Sequence, residues 1–582
     1  SYFYMTDLSP SLPNTAPSTS RFCTGARQVN HQSLSFMALS YGSPEEFNRN
    51  TLANSCWPKD AWSVSDNWGK PFPRSASSWH AEDPHFFDLW HAAFNSNGYF
   101  NFFQDNYEML DKFKSYFDAI SVSGGGVSKS ALSTNILTDN SLFFTASYDW
   151  AKNAGMLQAY QPKESMGVNT FVEVWTTEDG ATDITKPIYS YNPTSKAGIK
   201  LEYKGQGASL SDSQFSRLYP SESISRKTEL LTQFVDTLYT SPLGPIINSN
   251  LAYVGRPNLK NQFYGASVNS AIYDQKFSEF VGSSTRSPML YVNSNDGKLH
   301  GYNASTGAQA LMYVPNVVLS ERYQTRQVAN AQLFLDGEIF VGDAFLKKRN
   351  KWSTILLGSM RSAGQGIYAL DVTAPDSFSQ SDVLWEFSDA NDQDLGFTYA
   401  KPAIGYIGDR WVAVIANGYN NTHNSVYDPF TSTTGAGALY ILDLETGELL
   451  RKFTTAANQS SDPLNLDRPN GLAEPAIVDS DQDGVIDRIY VGDFFGNFYA
   501  FDVKGNDPTQ WQPTFGTAEA AKPMVAGSLV NNLPIITRPT VTPDPTRDEL
   551  FIIYGTGDNI TDATYTQDHR LIGISHQATA LT

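Results

Sequence analysis

RIYVGDFFGNFYAFDVKG, residues 488–505, holds two short apolar runs on either side of a tight turn. Ile489, Tyr490 and Val491 form the first run, and Phe498 to Phe501 the second. Apart from Ala500, both are β-branched or aromatic, the residue types that fit a pleated, half-buried surface. Gly492, Asp493 and Gly496 lie between them, and Asp502 with Gly505 ends the second run, so each break carries turn chemistry. The stretch reads as strand, turn, strand, turn.

The same cadence recurs along the chain. MLYVNSNDGKLHGYNASTG covers 289–307, and ILLGSMRSAGQGIYALDV covers 355–372. WVAVIANG (411–418) precedes GALYILDLETGELLRKF (437–453), and ELFIIYGTGD covers 549–558. SLFFTASYD (141–149) and GMLQAY (155–160) form an earlier pair. The second strand of a phrase tends to end in Tyr-x-apolar-Asp or its Asn equivalent, and in several copies Thr-Gly follows. One small sheet cannot bury both of its faces, but a ring of such sheets can, so the repeat predicts an all-β propeller over 127–582. An array of β-sandwiches is the competing architecture, and the repeated Tyr-Ala-apolar-Asp phrase argues against it. Two interruptions, 214–250 and 314–334, are not strand-like; each is expected to decorate the rim with a short helix. Residues 1–126 form a different region. Its first 75 residues are rich in Ser, Pro, Asn and Gly and read as irregular chain. FFDLWHAAFN (86–95) and YEMLDKFKSYFDAI (107–120), the second with Leu110, Phe113, Phe117 and Ile120 at helical spacing, predict a short helical hairpin.

Immediately before the opening stretch stands DSDQDGVID (479–487). Asp479, Asp481, Asp483 and Asp487 take positions 1, 3, 5 and 9 of a loop, Gly484 supplies the sharp turn at position 6, and Val485 at position 7 offers a backbone carbonyl. That is the ligand spacing of an EF-hand loop, and hard oxygen donors at this spacing suit Ca²⁺ better than Mg²⁺. A bound cation would also remove the repulsion among the carboxylates. Position 12 is Tyr490 rather than a bidentate Glu, and a strand follows rather than a helix. The loop is therefore expected to be a calcium site set before a propeller strand, not a helix–loop–helix sensor; the alternative is a solvated acidic turn. A second acidic segment, SDANDQDLG (388–396), lacks this spacing and reads as a structural turn.

The whole chain narrows the function. With 582 residues, 41% hydrophobic and 13% aromatic, it has the means for a large core. A formal charge of −19 argues against a nucleic-acid partner. No apolar run reaches the ~18 residues that a membrane span needs, and the start shows no signal segment, so a mature or trimmed piece is expected. Cys23 and Cys56 are the only cysteines and are a candidate disulfide, which would close a loop worth about 3–4 kcal/mol in the chain-entropy view; two reduced thiols are the alternative. His80, His85 and His91 are too unevenly spaced for one helical face and read as ordinary histidines. Metalloprotease, nucleophile-elbow, Walker and dinucleotide motifs are all missing from the sequence, which reads as non-enzymatic with no catalytic residues.

Four segments resemble the C-terminal region of the PilY/PilC family of type IV pilus tip adhesins and biogenesis factors. FFDLWHAAFNSNGYF (86–100), GPIINSNLAYVG (244–255), DLGFTYAKPAI (394–404) and EPAIVDSDQDGVIDRIYVGDFFGNFYAFDV (474–503) carry the likeness, with Asn250 where the family has proline. The resemblance implies a modified seven-bladed β-propeller with a calcium loop on Asp479, Asp481, Asp483, Val485 and Asp487. It further implies control of pilus extension and retraction, twitching motility and surface attachment, with minor pilins or other pilus-tip components as partners, host or surface ligands in addition, and an extracytoplasmic location. A von Willebrand A-like domain precedes this region in many family members; its metal motif does not occur here, nor does an Arg-Gly-Asp tripeptide, so integrin binding is not carried over. The alternatives are a glycan-binding propeller outside the pilus and a quinone-dependent oxidoreductase. The second would need calcium beside a cofactor in the central funnel, whereas this loop is self-contained.

Overall fold

A computed structural model of the chain describes residues 37–41, 99–103, 127–132, 141–149, 154–165, 168–177, 183, 185–205, 209–257, 275–325, 334–423, 430–481, 483–544, 549–558 and 568–577. The chain divides into two compact units, Ser1–Gly125 and Gly126–Thr582. In the first, β1 (Met37–Tyr41) pairs in parallel with β2 (Tyr99–Phe103). The first of these falls in the stretch expected to be irregular; five residues of alternation, with Met37, Leu39 and Tyr41 in phase, are too few to stand out from a polar background. Cys23, Cys56 and the two segments expected to form a helical hairpin lie outside the described residues.

The second unit is a succession of sheets. The first holds β3 (Val127–Leu132), β4 (Phe143–Asp149), β5 (Ala154–Ser165) and β6 (Val168–Thr176). The second holds β7 (Ile188–Asn192), β8 (Ala197–Leu201), β9 (Ala252–Val254), β10 (Met289–Ser294), β11 (Lys298–Asn303) and β12 (Gln309–Val314) in the order β8-β7-β12-β11-β10-β9. It is a four-stranded meander widened by a hairpin, since β7 joins β12 in parallel. Two further meanders follow. One is β13 (Ile339–Leu346), β14 (Lys351–Ser359), β15 (Gly366–Asp371) and β16 (Val383–Ser388). The other is β17 (Ala403–Ile407), β18 (Arg410–Ala416), β19 (Ala438–Asp443) and β20 (Leu449–Thr454). The fifth sheet is β21 (Ala476–Val478), β22 (Arg488–Gly492), β23 (Phe498–Asp502) and β24 (Gln512–Pro513). After a two-stranded ribbon, β25 (Gly516–Thr517) and β26 (Ala520–Ala521), comes a three-stranded sheet of β27 (Thr540–Asp544), β28 (Glu549–Gly555) and β29 (Leu571–Gln577). The architecture is all-β, as expected, with six such sheets of three or more strands among the described residues.

The middle strands are continuously apolar because both faces are covered. Leu356 packs toward the second sheet with Met289 and Leu311, while its neighbours Ile355 and Leu357 pack toward the fourth with Ile415 and Tyr440. Ile489 and Val491 meet Val412 and Val414 of the fourth sheet, and Tyr490 between them meets Ile552 and Tyr554 of the sixth. Five core clusters thus sit between consecutive sheets, and each buried Leu, Ile or Val contributes about 1.5–3 kcal/mol.

The repeated phrase has a physical cause. Its terminal Asp or Asn opens the turn after the third strand: Asn303 Oδ1 accepts from the Ser305 and Thr306 amides at 3.0 and 3.2 Å, and Asp443 Oδ1 from those of Glu445 and Thr446 at 3.1 and 2.9 Å. Gly307 and Gly447 close these turns at φ +72° and +70°, where tryptophans lie against them. Trp175 of the first sheet donates to the Ala304 carbonyl of the second, and Trp385 of the third to the Leu444 carbonyl of the fourth, both at 2.9 Å. A register shift between third and fourth strands recurs at Gly301/Tyr302, Ala369/Leu370 and Ile441/Leu442, within the same phrase.

The 214–250 interruption differs from its expected role. It carries α1 (Asp212–Leu218), capped by Ser211 and Gln214, and α2 (Lys227–Thr240). Leu231, Phe234, Val235 and Leu238 of α2 are buried in the cluster that joins the second and third sheets, so the insertion completes a core rather than decorating a rim. In 314–334 the described helix is a short one, Glu321–Thr325, and Tyr323 is fully buried.

Candidate metal centre

The loop 479–487 joins β21 to β22, which pair antiparallel with Val478 opposite Arg488. Backbone bonds fasten both of its ends. Asp487 donates from its amide to Val478 O at 2.9 Å, and Ile486 donates to Tyr406 O of the fourth sheet at 2.7 Å. Gly484 stands at φ +90°, a conformation that a Cβ would strain. The turn is organised by its own carboxylates: Asp479 accepts from the Asp483 and Gly484 amides at 3.1 and 2.8 Å, and Asp483 from that of Val485 at 2.8 Å.

Asp479, Asp481 and Asp483 each offer a carboxylate oxygen, and the three lie within 4.8 Å of one another. Asp487 stands outside this trio. It is 4% exposed, and its Oδ2 accepts from the Ser480 amide at 3.1 Å and hydroxyl at 2.7 Å. Lys504 spans the gap, with Nζ 3.0 Å from Asp481 Oδ2 and 3.8 Å from Asp487 Oδ1. Burial lifts the Asp479 carboxyl to about 6, and the charges of Asp483 and Asp487 push the same way against the two amide donors. Burial also raises Asp487, with the charge of Asp481 adding to it against the Ser480 hydroxyl. The trio is an all-oxygen, negatively charged donor set in a hydrogen-bonded hairpin, which fits a hard cation such as Ca²⁺ and no soft metal. Val485 follows the positive-φ glycine, and its carbonyl is free of any role in the β21–β22 ladder.

The second acidic segment is built otherwise. Lys452 of β20 places Nζ 2.7 and 2.8 Å from the two oxygens of Asp392 and 2.6 Å from Asp394 Oδ2. Tyr440 donates to Asp392 at 3.1 Å, and Ser432 donates to Asp394. Burial would lower the Lys452 ammonium, but the two carboxylates hold its pKa above the ordinary value. An ammonium takes the place that a metal would need.

Sequence reading missed a third set of charges. Lys401-Pro402-Ala403-Ile404, Glu474-Pro475-Ala476-Ile477 and Arg538-Pro539-Thr540-Val541 repeat one pattern, and each charged residue stands just before the first strand of its sheet. Burial raises the Glu474 carboxyl; the charge of Glu338, which precedes β13, adds to this, and Arg538 and Lys401 oppose it. The first strands of the third, fourth, fifth and sixth sheets therefore converge, and the charged–Pro–small–branched repeat was the signal. His80, His85 and His91 lie outside the described residues.

The family described as the PilY1 beta-propeller domain matches residues 243–581. The chain belongs to this family. Type IV pilus biogenesis factor PilY1 of Pseudomonas aeruginosa (strain PAO1) is 28% identical over 567 residues, taking in 87% of this chain and 45% of that protein. A PilY1 homolog of Xylella fastidiosa (strain Temecula1) is 34% identical over 281 residues, 46% of this chain and 18% of that protein. The crystal structure of the P. aeruginosa PilY1 C-terminal domain shares 29% identity at a TM-score of 0.43, covering 56% of this chain and 64% of that one. The chain spans less than half the length of these curated PilY1 relatives. Among the described residues no helix is long and apolar enough to cross a membrane.

Proposed function

We propose that this chain is the calcium-binding propeller part of a type IV pilus biogenesis factor, acting at the pilus tip or outer surface without catalysis. In this reading it supports pilus extension and retraction, twitching motility and surface attachment, and it meets minor pilins or other tip components. Two PilY1-named relatives and the PilY1 propeller match support the pilus assignment. The observation that carries the calcium assignment is the Asp479, Asp481 and Asp483 trio within 4.8 Å, set in a hairpin beside the buried Asp487. Val485 O completes the ligand set in this reading. The ring is a modified seven-bladed one in which the six described sheets of three or more strands in 127–582 are consecutive blades.

The hairpin gives a bound cation reach beyond its own loop. Ile486 ties it to β17 of the fourth sheet, and Val503 donates to Asp487 O at 2.8 Å. Next in sequence, Arg488 lies 3.3 Å from the His576 ring on β29, and Tyr490 bonds His576 Nδ1 at 2.8 Å. Calcium at the trio would fix the point where three sheets meet, coupling occupancy to inter-blade rigidity. Complementation tests the reading. A strain lacking its own factor regains surface pili and twitching with the full-length protein that carries this sequence, and Asp479→Ala/Asp487→Ala in that protein impairs both. Full pilus function in that variant at low calcium contradicts the reading.

A further inference from the structure

The cation already seated at the acidic loop belongs to the chain itself. Lys504 Nζ lies 3.0 Å from Asp481 Oδ2 and 3.8 Å from Asp487 Oδ1, so one ammonium touches the trio and the outlying ligand together. Its placement is not left to a flexible segment. Lys504 sits in the turn after β23, where its amide donates to Asp502 Oδ1 at 3.2 Å. The preceding residue, Val503, donates to the backbone carbonyl of Asp487 at 2.8 Å, which locks the turn to the last residue of the acidic loop. On its other side Trp511 Nε1 donates to Gly505 O at 3.0 Å. Trp511 is itself fully buried, so the turn hangs from the core of the sheet. The backbone is fixed next to the loop, while the Lys504 side chain is 63% exposed. A tethered charge of this kind acts at high effective concentration.

We infer that Lys504 is a built-in competitor for the cation site, a residue that sets the calcium concentration at which the loop fills. The inference rests on the calcium reading above and concerns the regulation of that same site. In the metal-free loop the ammonium neutralises part of the carboxylate charge. A divalent ion entering the loop has to displace it, or else bind beside a like charge, and either route weakens binding. The loop is thereby kept from responding to low calcium and from collecting monovalent ions. The contrast with Lys452 sharpens the point: that ammonium contacts its carboxylates through three bonds of 2.6–2.8 Å, and its side chain is only 25% exposed. Lys504 makes one short contact and one long one, as a displaceable group would.

The test is a parallel set of calorimetric Ca²⁺ titrations on the metal-stripped chain, with wild type, Lys504→Met, Lys504→Arg and Asp487→Ala. Lys504→Met keeps the stem and removes the charge; it is expected to bind about three- to ten-fold more tightly at unchanged stoichiometry, the scale of losing an exposed ion pair and a like-charge neighbour. Lys504→Arg keeps a cation and should stay near wild type, which separates charge from packing. The gap between Met and wild type should narrow as salt is raised. Equal or weaker binding by Lys504→Met, while wild type binds one ion and Asp487→Ala does not, overturns the role of Lys504 and leaves the calcium reading standing. Absence of binding in every variant overturns both.

Discussion

Two acidic turns of this molecule have almost the same composition and opposite designs. SDANDQDLG closes on Lys452, which arrives from a strand about sixty positions later in the chain and satisfies Asp392 and Asp394 at 2.6–2.8 Å. DSDQDGVID brings three carboxylates within 4.8 Å and, among the described residues, sets one exposed lysine at their edge. The first is a closed ion cluster whose counter-charge is part of the fold. The second is an open donor set whose charge is only partly met. The difference shows that acidic content alone does not set a turn's design: the spacing of the carboxylates and the reach of a partly buried ammonium decide whether the charge is met within the fold. A third turn lies at the closed extreme. Burial pushes the Asp462 carboxyl up, yet the Arg468 side chain and the amides of Leu464, Arg468 and Leu466 outweigh it and hold the pKa at about 2. Asp479, with no such cation, stands at about 6.

The comparison can be broken in four ways. The largest effect belongs to the open loop: calcium should raise the melting temperature of the metal-stripped wild type, and Asp487→Ala should abolish that rise while folding normally by circular dichroism. A rise retained in the variant places the ion elsewhere. Next is the closed cluster. Lys452→Met strands two partly buried carboxylates and should cost about 2–3 kcal/mol in urea unfolding, below the full cost for a completely buried pair. Adding calcium should not restore it; if calcium does, the cluster is an open site in disguise.

Asp462 gives the pH test, and its sign is fixed. The native pKa, about 2, lies below the value of ~3.9 expected in the unfolded chain, so the unfolded chain takes up the proton first as pH falls. Its contribution, on the order of 2 kcal/mol, is fully present above pH ~4 and is lost as pH falls toward ~2. Asp462→Asn should remove that part of the acid limb and leave the stability–pH curve above ~5 parallel to wild type; an unchanged acid limb contradicts the assignment. The smallest effect is at Gly484. A side chain at φ +90° costs about 1 kcal/mol, so Gly484→Ala should weaken calcium several-fold without abolishing it. An unaffected affinity would mean that the loop reshapes freely around the ion.

How far the sequence disclosed all this depends on the range of each interaction. The repeated phrase was legible because its causes are local: Asn303 and Asp443 bond amides two and three residues on, and Gly307 and Gly447 take positive φ in the same turns. The two-sided burial of the middle strands was legible for the same reason, since runs such as Ile489–Val491 are continuously apolar. The acidic loop was legible as a pattern, and its hairpin setting follows from the strands on either side. Long-range partners were not. The parallel addition of β7 to β12 joins residues more than a hundred positions apart, and periodicity carries no information on it. The 214–250 insertion was read as rim decoration, because its helical stretch carries no local sign that α2 packs into the core between the second and third sheets. Lys452 and Lys504 look like ordinary surface lysines in sequence, and only the fold brings each to its carboxylates. The charged–Pro repeat at Lys401, Glu474 and Arg538 was visible and unread, because a pattern recurring only once per sheet is obvious only when the first strands are known to converge.

The most direct measurement is the ion stoichiometry of the metal-stripped wild-type chain, by calorimetric titration with Ca²⁺ and then with Mg²⁺. The account predicts one calcium per chain, weaker magnesium, and no saturable binding once Asp479 and Asp487 are both alanine. A stoichiometry of zero, or one calcium still bound by the double variant, would contradict the assignment of DSDQDGVID as the metal loop.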